Sequence, residues 1–119
     1  MTYDERQFYI DGQWVDPAVP NEFQVINPAT EAPAGVISLG GRADVDRAVA
    51  AAKRAFESYS RTKPAERLAL MERILVAYQR HYDAIAQAIS VEMGAPITLA
   101  KGPQTQVGVG HISAMIEVL

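Results

Sequence analysis

The sequence predicts an α+β chain, with short N-terminal antiparallel β segments followed by three or four amphipathic helices. Three observations carry this. Apolar residues alternate with a period near two before about residue 40 and recur near 3.6 after it. Asp11-Gly12 and Asn27-Pro28 cut the first part into short extended runs. At 119 residues, with a 49% hydrophobic share, the chain suits one domain with a modest core.

In the β part, Phe8-Tyr9-Ile10 and Trp14-Val15 flank Asp11-Gly12, a dipeptide that takes the positive φ angles of a tight hairpin turn. A second extended pair runs over Phe23–Ile26 and Val36–Leu39. The segment from Asn27 to Pro33 between them reads as turns because of its two prolines and its Asn-Pro step. The helical part opens at Gly41, a plausible N-cap, with Asp44 in the first turn where the helix dipole favours an acid. Val45, Ala48, Val49, Ala52, Phe56 and Tyr59 form one apolar stripe. A longer stripe, Leu68, Met71, Leu75, Tyr78, Tyr82, Ile85 and Ile89, starts near Pro64 and stops at Gly94. Some thirty residues is long for one globular helix, so a break is expected near His81–Asp83. A third helix follows Pro96, is interrupted at Gly102-Pro103, and resumes with Val107, His111, Ile112, Met115 and Leu119 on one side.

Charge and composition narrow the function classes. A net charge of −3 and scattered basic residues remove most of the electrostatic drive toward nucleic acid or anionic membrane. No apolar run approaches the ~18 residues of a membrane span, and the start lacks a basic n-region followed by an apolar core. The expected compartment is cytoplasmic. The chain has no cysteine, which excludes disulfides, thiolate metal sites and thiol nucleophiles within it.

Candidate chemistry is sparse. Gly108-Val109-Gly110-His111-Ile112-Ser113 half-matches a dinucleotide-binding fingerprint, but it lies in a helical pattern with no strand before it. A small-residue packing patch is the preferred reading. His81 and His111 lack a paired ligand spacing and read as surface or structural histidines. Tyr78 and Tyr82 read as core stripe, while Asp44, Asp46, Glu66 and Glu72 are assigned to solvated helix faces and suggest no acid–base pair. One residue resists a bland reading. Glu92 sits in the last turn of a helix that ends at Gly94-Ala95-Pro96, where its charge opposes the dipole by roughly 0.3–1 kcal/mol.

Five segments in order resemble the opening of an aldehyde dehydrogenase. They are Phe8 to Val15, Val25 to Thr30, Asp44 to Val49 with Ala52 and Phe56, Pro64 to Arg67, and Glu92 to Pro96. The resemblance covers residues 7 to 119. It departs from the family pattern at Lys63, where many members place the serine of a capping box and where Thr62 could cap one residue earlier, and at Tyr59, where a tryptophan is common.

The resemblance implies that residues 1–119 form a single N-terminal segment of a much longer NAD(P)-dependent oxidoreductase. Strands and turns would occupy about 7–40 and helices about 41–119, with the catalytic region absent. In that family a cysteine thiol attacks the aldehyde, hydride passes to NAD or NADP, and water releases the carboxylic acid. Nucleophile, base and cofactor-binding strands lie in later parts of the family chain. No catalytic or cofactor-binding residue is therefore expected in this chain, and the chain alone should be inactive. Its implied partners are the remainder of an aldehyde dehydrogenase polypeptide and further copies in a homo-oligomer, with no nucleic acid and no membrane. The resemblance also offers Glu92 a role. Several members hold a monovalent cation with an acid at this position and a backbone carbonyl just before the Asn-Pro turn, which map here to Glu92 and Ile26. A solvated glutamate or a salt bridge is the competing reading. A second hypothesis for the whole chain is an independent, non-catalytic helical interaction or oligomerisation module.

Overall fold

The computed structural model describes residues 3–119. In chain order the elements are β1 (Tyr3–Glu5), β2 (Phe8–Ile10), β3 (Gln13–Val15), β4 (Glu22–Asn27), β5 (Ala32–Ser38), α1 (Arg42–Tyr59), α2 (Pro64–Arg80), α3 (Tyr82–Met93), α4 (Ile97–Leu99), a kinked π-type segment (Ala100–Gln104) and α5 (Thr105–Val118). This is an α+β arrangement of strands followed by helices. It divides into two compact units: one runs through Ile26 and resumes at Glu31–Arg61, the other holds Asn27–Thr30 and Thr62–Leu119.

In the first unit, β2 and β3 pair antiparallel, with Phe8 opposite Val15 and Tyr9 opposite Trp14. Asp11 and Gly12 both take positive φ, 57° and 79°, as a hairpin turn matched to strand twist requires. The Tyr9 and Trp14 rings meet edge to face at 5.3 Å. The other sheet has the order β1-β5-β4. Its β1, a strand the sequence pattern did not announce, runs parallel to β5, with Tyr3 opposite Gly35. A parallel pair needs a long connection, and the hairpin together with β4 supplies it. Gly35 leaves room for the Tyr3 ring, which a Cβ there would meet at 2.5 Å. β5 begins at Ala32, so the expected turn from Asn27 to Pro33 is shorter than read. Pro33 lies outside the stretch paired with β1, which runs from Gly35 to Ile37.

Helix α1 corrects two expectations. Asp44 is not on a solvated face; it is 5% exposed. Its Oδ2 accepts from the Gly41 N–H at 3.0 Å, the acidic half of a capping box, and its Oδ1 accepts from the Ala18 N–H at 2.8 Å. Burial is tolerated because both oxygens are hydrogen-bonded and Arg47 lies 3.4 Å away. The second correction concerns the stripe. Asp44, Ala48 and Ala51 form the covered face, whereas Val45, Val49 and Phe56 are 57%, 47% and 67% exposed. Alanines at the covered face let the hairpin come close, and Arg54 fixes that approach by pairing with Asp11 at 2.8 Å.

The second unit follows the sequence pattern more closely. α2 starts with Pro64 at its first position, and Lys63 is the N-cap rather than Thr62. Glu66 closes the turn by accepting from the Lys63 N–H at 2.7 Å. The expected break falls at His81, with φ −96° and ψ 8°. α3 ends on Gly94 in the left-handed region, φ 69°. The expected interruption at Gly102-Pro103 is the π-type segment, inside which Gly102 leaves helical geometry. There the Thr105 N–H reaches back to Ala100 O instead of Lys101 O, and Tyr82 Oη donates to the freed Lys101 carbonyl at 2.5 Å. Tyr78 Oη donates to Thr105 O at 2.9 Å, and Thr105 Oγ1 donates to Ala100 O at 2.7 Å.

The inward side of α5 is Thr105, Gly108, Val109, Ile112 and Ile116. The expected apolar side is therefore corrected: Val107, His111 and Met115 point outward, because Tyr78 of α2 seats on Thr105 and Gly108 and fixes which side of α5 faces inward. Among the described residues, the buried apolar ones are small: Ala34, Ala51, Ala86 and Ala100.

Candidate functional site

Glu92 lies on the last turn of α3 and its residue is exposed. In the same unit, the turn Asn27–Thr30 is pressed against that helix end. A Cβ on Gly94 would meet Pro28 Cγ at 2.9 Å and the Ala29 nitrogen at 3.1 Å, so the approach requires glycine twice over, for space and for φ. The turn is self-supporting. Asn27 Oδ1 accepts from the Ala29 N–H at 2.9 Å, and Asn27 O accepts from the Thr30 N–H at 3.3 Å. Ser90 Oγ donates to Ala95 O at 2.7 Å and holds the chain as it leaves the helix. Ile26 sits in β4, in the first unit.

The second unit thus brings together a carboxylate, the acceptor-rich C-terminus of a helix and a tight Asn-Pro turn. An all-oxygen donor set of this kind fits a hard cation better than a soft one. Among the described residues no group of three or more His, Cys, Asp or Glu side chains is gathered for a metal ion.

A second concavity, of about 680 Å³, belongs to the first unit and is lined by Asp4, Arg6, Trp14, Asp16 and Glu22 among others. Its polar groups are already engaged with each other. Arg6 donates to Asp4 at 2.7 Å and to Glu22 at 2.6 Å, and Gln7 Nε2 donates to Asp16 Oδ1 at 2.9 Å. The Arg6 guanidinium holds the Asp4 carboxyl below its ordinary value, and the two carboxylates raise that of Arg6. Asp44 is likewise lowered, first by the Ala18 N–H, then by the Gly41 N–H, with Arg47 adding to them and burial opposing. These groups are ion pairs and a helix cap.

The remaining sequence candidates resolve as structural. The half-fingerprint lies on α5, and a Cβ on Gly108 would collide with the Tyr78 hydroxyl and ring, so that glycine serves packing. His81 joins α2 to α3, and His111 is exposed on α5. Sequence reasoning missed the hydroxyl roles of Tyr78 and Tyr82, and it missed the buried Gln104 Oε1, which has no hydrogen-bond partner among the described residues. No helix among them is long and apolar enough to cross a membrane.

Comparison with known proteins bears directly on this geometry. The sequence model of the aldehyde dehydrogenase family matches residues 14–119. The chain is 50% identical over 117 residues to a 3-succinoylsemialdehyde-pyridine dehydrogenase of a Pseudomonas species, covering 98% of this chain and 24% of that protein. It superposes with a TM-score of 0.94, at 46% identity, on an aldehyde dehydrogenase from Bartonella henselae, covering 96% of this chain and 24% of that one. The TM-score is 0.92, at 41% identity, on a cysteine-to-alanine mutant of aldehyde dehydrogenase C from Pseudomonas syringae, solved with NAD+ and octanal, covering 94% of this chain and 23% of that one. The chain therefore spans about a quarter of the length of the relatives it matches.

Proposed function

The chain belongs to the aldehyde dehydrogenase family, and from that premise we propose that it is the N-terminal segment of an NAD(P)-dependent enzyme that oxidises aldehydes to carboxylic acids. The observation that carries this reading is the near-complete superposition of the chain on one quarter of such an enzyme. An aldehyde carbon must become tetrahedral before it can expel hydride, and a cysteine thiolate achieves this by forming a thiohemiacetal. That the relative crystallised with octanal is a cysteine-to-alanine mutant supports a thiol in that role. A bound nicotinamide supplies the hydride acceptor. This chain has no cysteine, so we assign the nucleophile, and with it the reaction, to the remainder of the polypeptide. The contribution of residues 3–119 is architectural. In this reading the parent works in the cytoplasm as a homo-oligomer, without nucleic acid or membrane.

The purified chain is expected to give no aldehyde-dependent NAD(P)H above buffer. The parent is expected to turn over and to stop when its thiol is alkylated. Turnover by the chain alone, after removal of host enzymes, would overturn the assignment.

From the family resemblance we also propose Glu92, with the Ile26 carbonyl, as ligands of a monovalent cation in the parent. The oxygen donors at the end of α3 support Glu92 in that role. Glu92→Gln is then expected to weaken any sodium- or potassium-dependent gain in the parent's melting temperature at fixed ionic strength. An unchanged salt response would return Glu92 to a structural or solvated role.

A further inference from the structure

We propose that the outer stripe of α1, formed by Val45, Val49, Ala52 and Phe56, is the seat for an α-helix from the remaining three quarters of the parent polypeptide. The inference rests on the family-segment reading and specifies a contact within it.

The stripe is well exposed and its direction is fixed. Val45, Val49 and Phe56 are 57%, 47% and 67% exposed, and Ala52 is exposed with them. α1 cannot simply roll to bury them. Asp44 is held by the Ala18 and Gly41 N–H groups, Arg47 donates to Asp16 O at 3.1 Å, and Arg54 pairs with Asp11 at 2.8 Å. The stripe lies a quarter turn from the covered face of Asp44, Ala48 and Ala51, so occupying both faces leaves the charged side, with Asp46, Lys53 and Glu57, in water.

The spacing indicates what kind of element fits. Steps of four, three and four residues give the a/d alternation that takes another helix's side chains at a shallow crossing of about 20°. Ala52, small between Val49 and Phe56, leaves the hole into which a knob would fit.

Size and family context select the occupant. One face of an 18-residue helix falls short of the ~800 Å² per partner that a stable separate complex buries. A helix tethered in the same polypeptide avoids most of the association cost, so a small seat suffices for it. The Bartonella relative holds this same fold within a chain of which it is 24%, so ample polypeptide exists to supply the helix.

The test uses a full-length chimera in which this chain replaces the first quarter of the Pseudomonas relative. Val49→Asp and Phe56→Asp are expected to lower the chimera's melting temperature by about 5 °C or more, or to remove its soluble yield, because they bury a charge. Ala52→Phe is expected to lower it too, by filling the hole. Lys53→Asp, on the solvent side, is expected to leave it unchanged. In the isolated chain all four substitutions should leave the dichroism spectrum unchanged, which separates docking from folding of α1. A chimera that tolerates the stripe substitutions as well as it tolerates Lys53→Asp overturns the seat while leaving the family reading intact. An unsubstituted chimera that neither assembles nor turns over overturns the reading of the chain as the N-terminal segment of a working enzyme, and the seat with it. An isolated chain that elutes as a dimer dispersed by Phe56→Asp, with the chimera indifferent, would assign the stripe to a second copy instead.

Discussion

The two units bury cores of the same poverty and hold them by different means. In the first, Ala34 and Ala51 are the covered apolar residues and the tie is a carboxylate, Asp44, gripping two backbone N–H groups, with Arg54 and Arg47 pinning α1 to the loops beside it. In the second, Ala86, Ala100 and the buried Thr105 lie at the centre, and two neutral tyrosine hydroxyls cap carbonyls at and beside the kink. A charge-assisted grip is strong and responds to pH. A hydroxyl donating to a carbonyl contributes less and relies on tight packing to stay in place. Among the described residues, neither unit covers a large aliphatic or aromatic side chain fully. In both, polar bonds therefore decide where the elements sit, and apolar surface is left for other partners.

The sharpest way to break this contrast is Gly108→Ala. Its Cβ would occupy the space of the Tyr78 ring and hydroxyl, so Tyr78 must swing away and release Thr105 O. A loss of about 1–3 kcal/mol is expected in urea unfolding followed at 222 nm. Unaltered stability would show that the tyrosine contact is dispensable. Tyr78→Phe keeps the packing and removes only the hydroxyl, with an expected loss of about 0.5–1.5 kcal/mol in the same measurement. A variant as stable as the unsubstituted chain would show that the hydroxyl adds nothing beyond the ring's packing.

Asp44→Asn keeps one backbone donor paired but turns its amide N–H2 toward the other, with an expected loss of about 1 kcal/mol at neutral pH; its signature is in acid. The native carboxyl lies below its ordinary 3.8, so its contribution is fully present above about that pH and is lost as pH falls through the native value. Wild-type and variant melting temperatures should therefore converge as pH drops from 4 toward 2. A constant gap across that window would remove Asp44 from its role as a charged tie.

Much of the helical part was legible in the sequence because its punctuation is chemical. Gly94 ends α3, Gly102-Pro103 cannot continue an α-helix, and a thirty-residue stripe is too long to run unbroken, which put the break at His81. The orientation of α1 was not legible. Its apolar arc includes Ala48 and Ala51 on one edge and Val45, Val49 and Phe56 on the other, and periodicity alone does not say which edge meets the hairpin. Asp44 was misplaced for the same reason, since its backbone donor at Ala18 lies 26 residues away. Of the candidate site, Glu92 was legible as an electrostatic anomaly, and the close approach of Pro28 to Gly94 was not, because the contact joins segments 66 residues apart. The repair of the kink by Tyr82 needed the same knowledge of which helices are neighbours.

The π-type segment also sets an angular offset. Each residue in an α-helix advances the side chains by 100° about the axis, and a wider turn with a bond from Thr105 back to Ala100 absorbs one residue more than an ordinary turn. Ala100–Gln104 thus acts as an inserted tooth. It rotates everything after it, so that Thr105, Gly108 and Ile112 look inward and Val107 and Met115 look out. Removing one residue between Ala100 and Pro103 while the kink kept its shape would turn α5 by about 100°, a little over a quarter turn, and swing Thr105 and Gly108 away from Tyr78, while the composition of the helix itself stayed the same. A length change of a single residue in this stretch is therefore a more drastic event than most substitutions along the fourteen residues of α5.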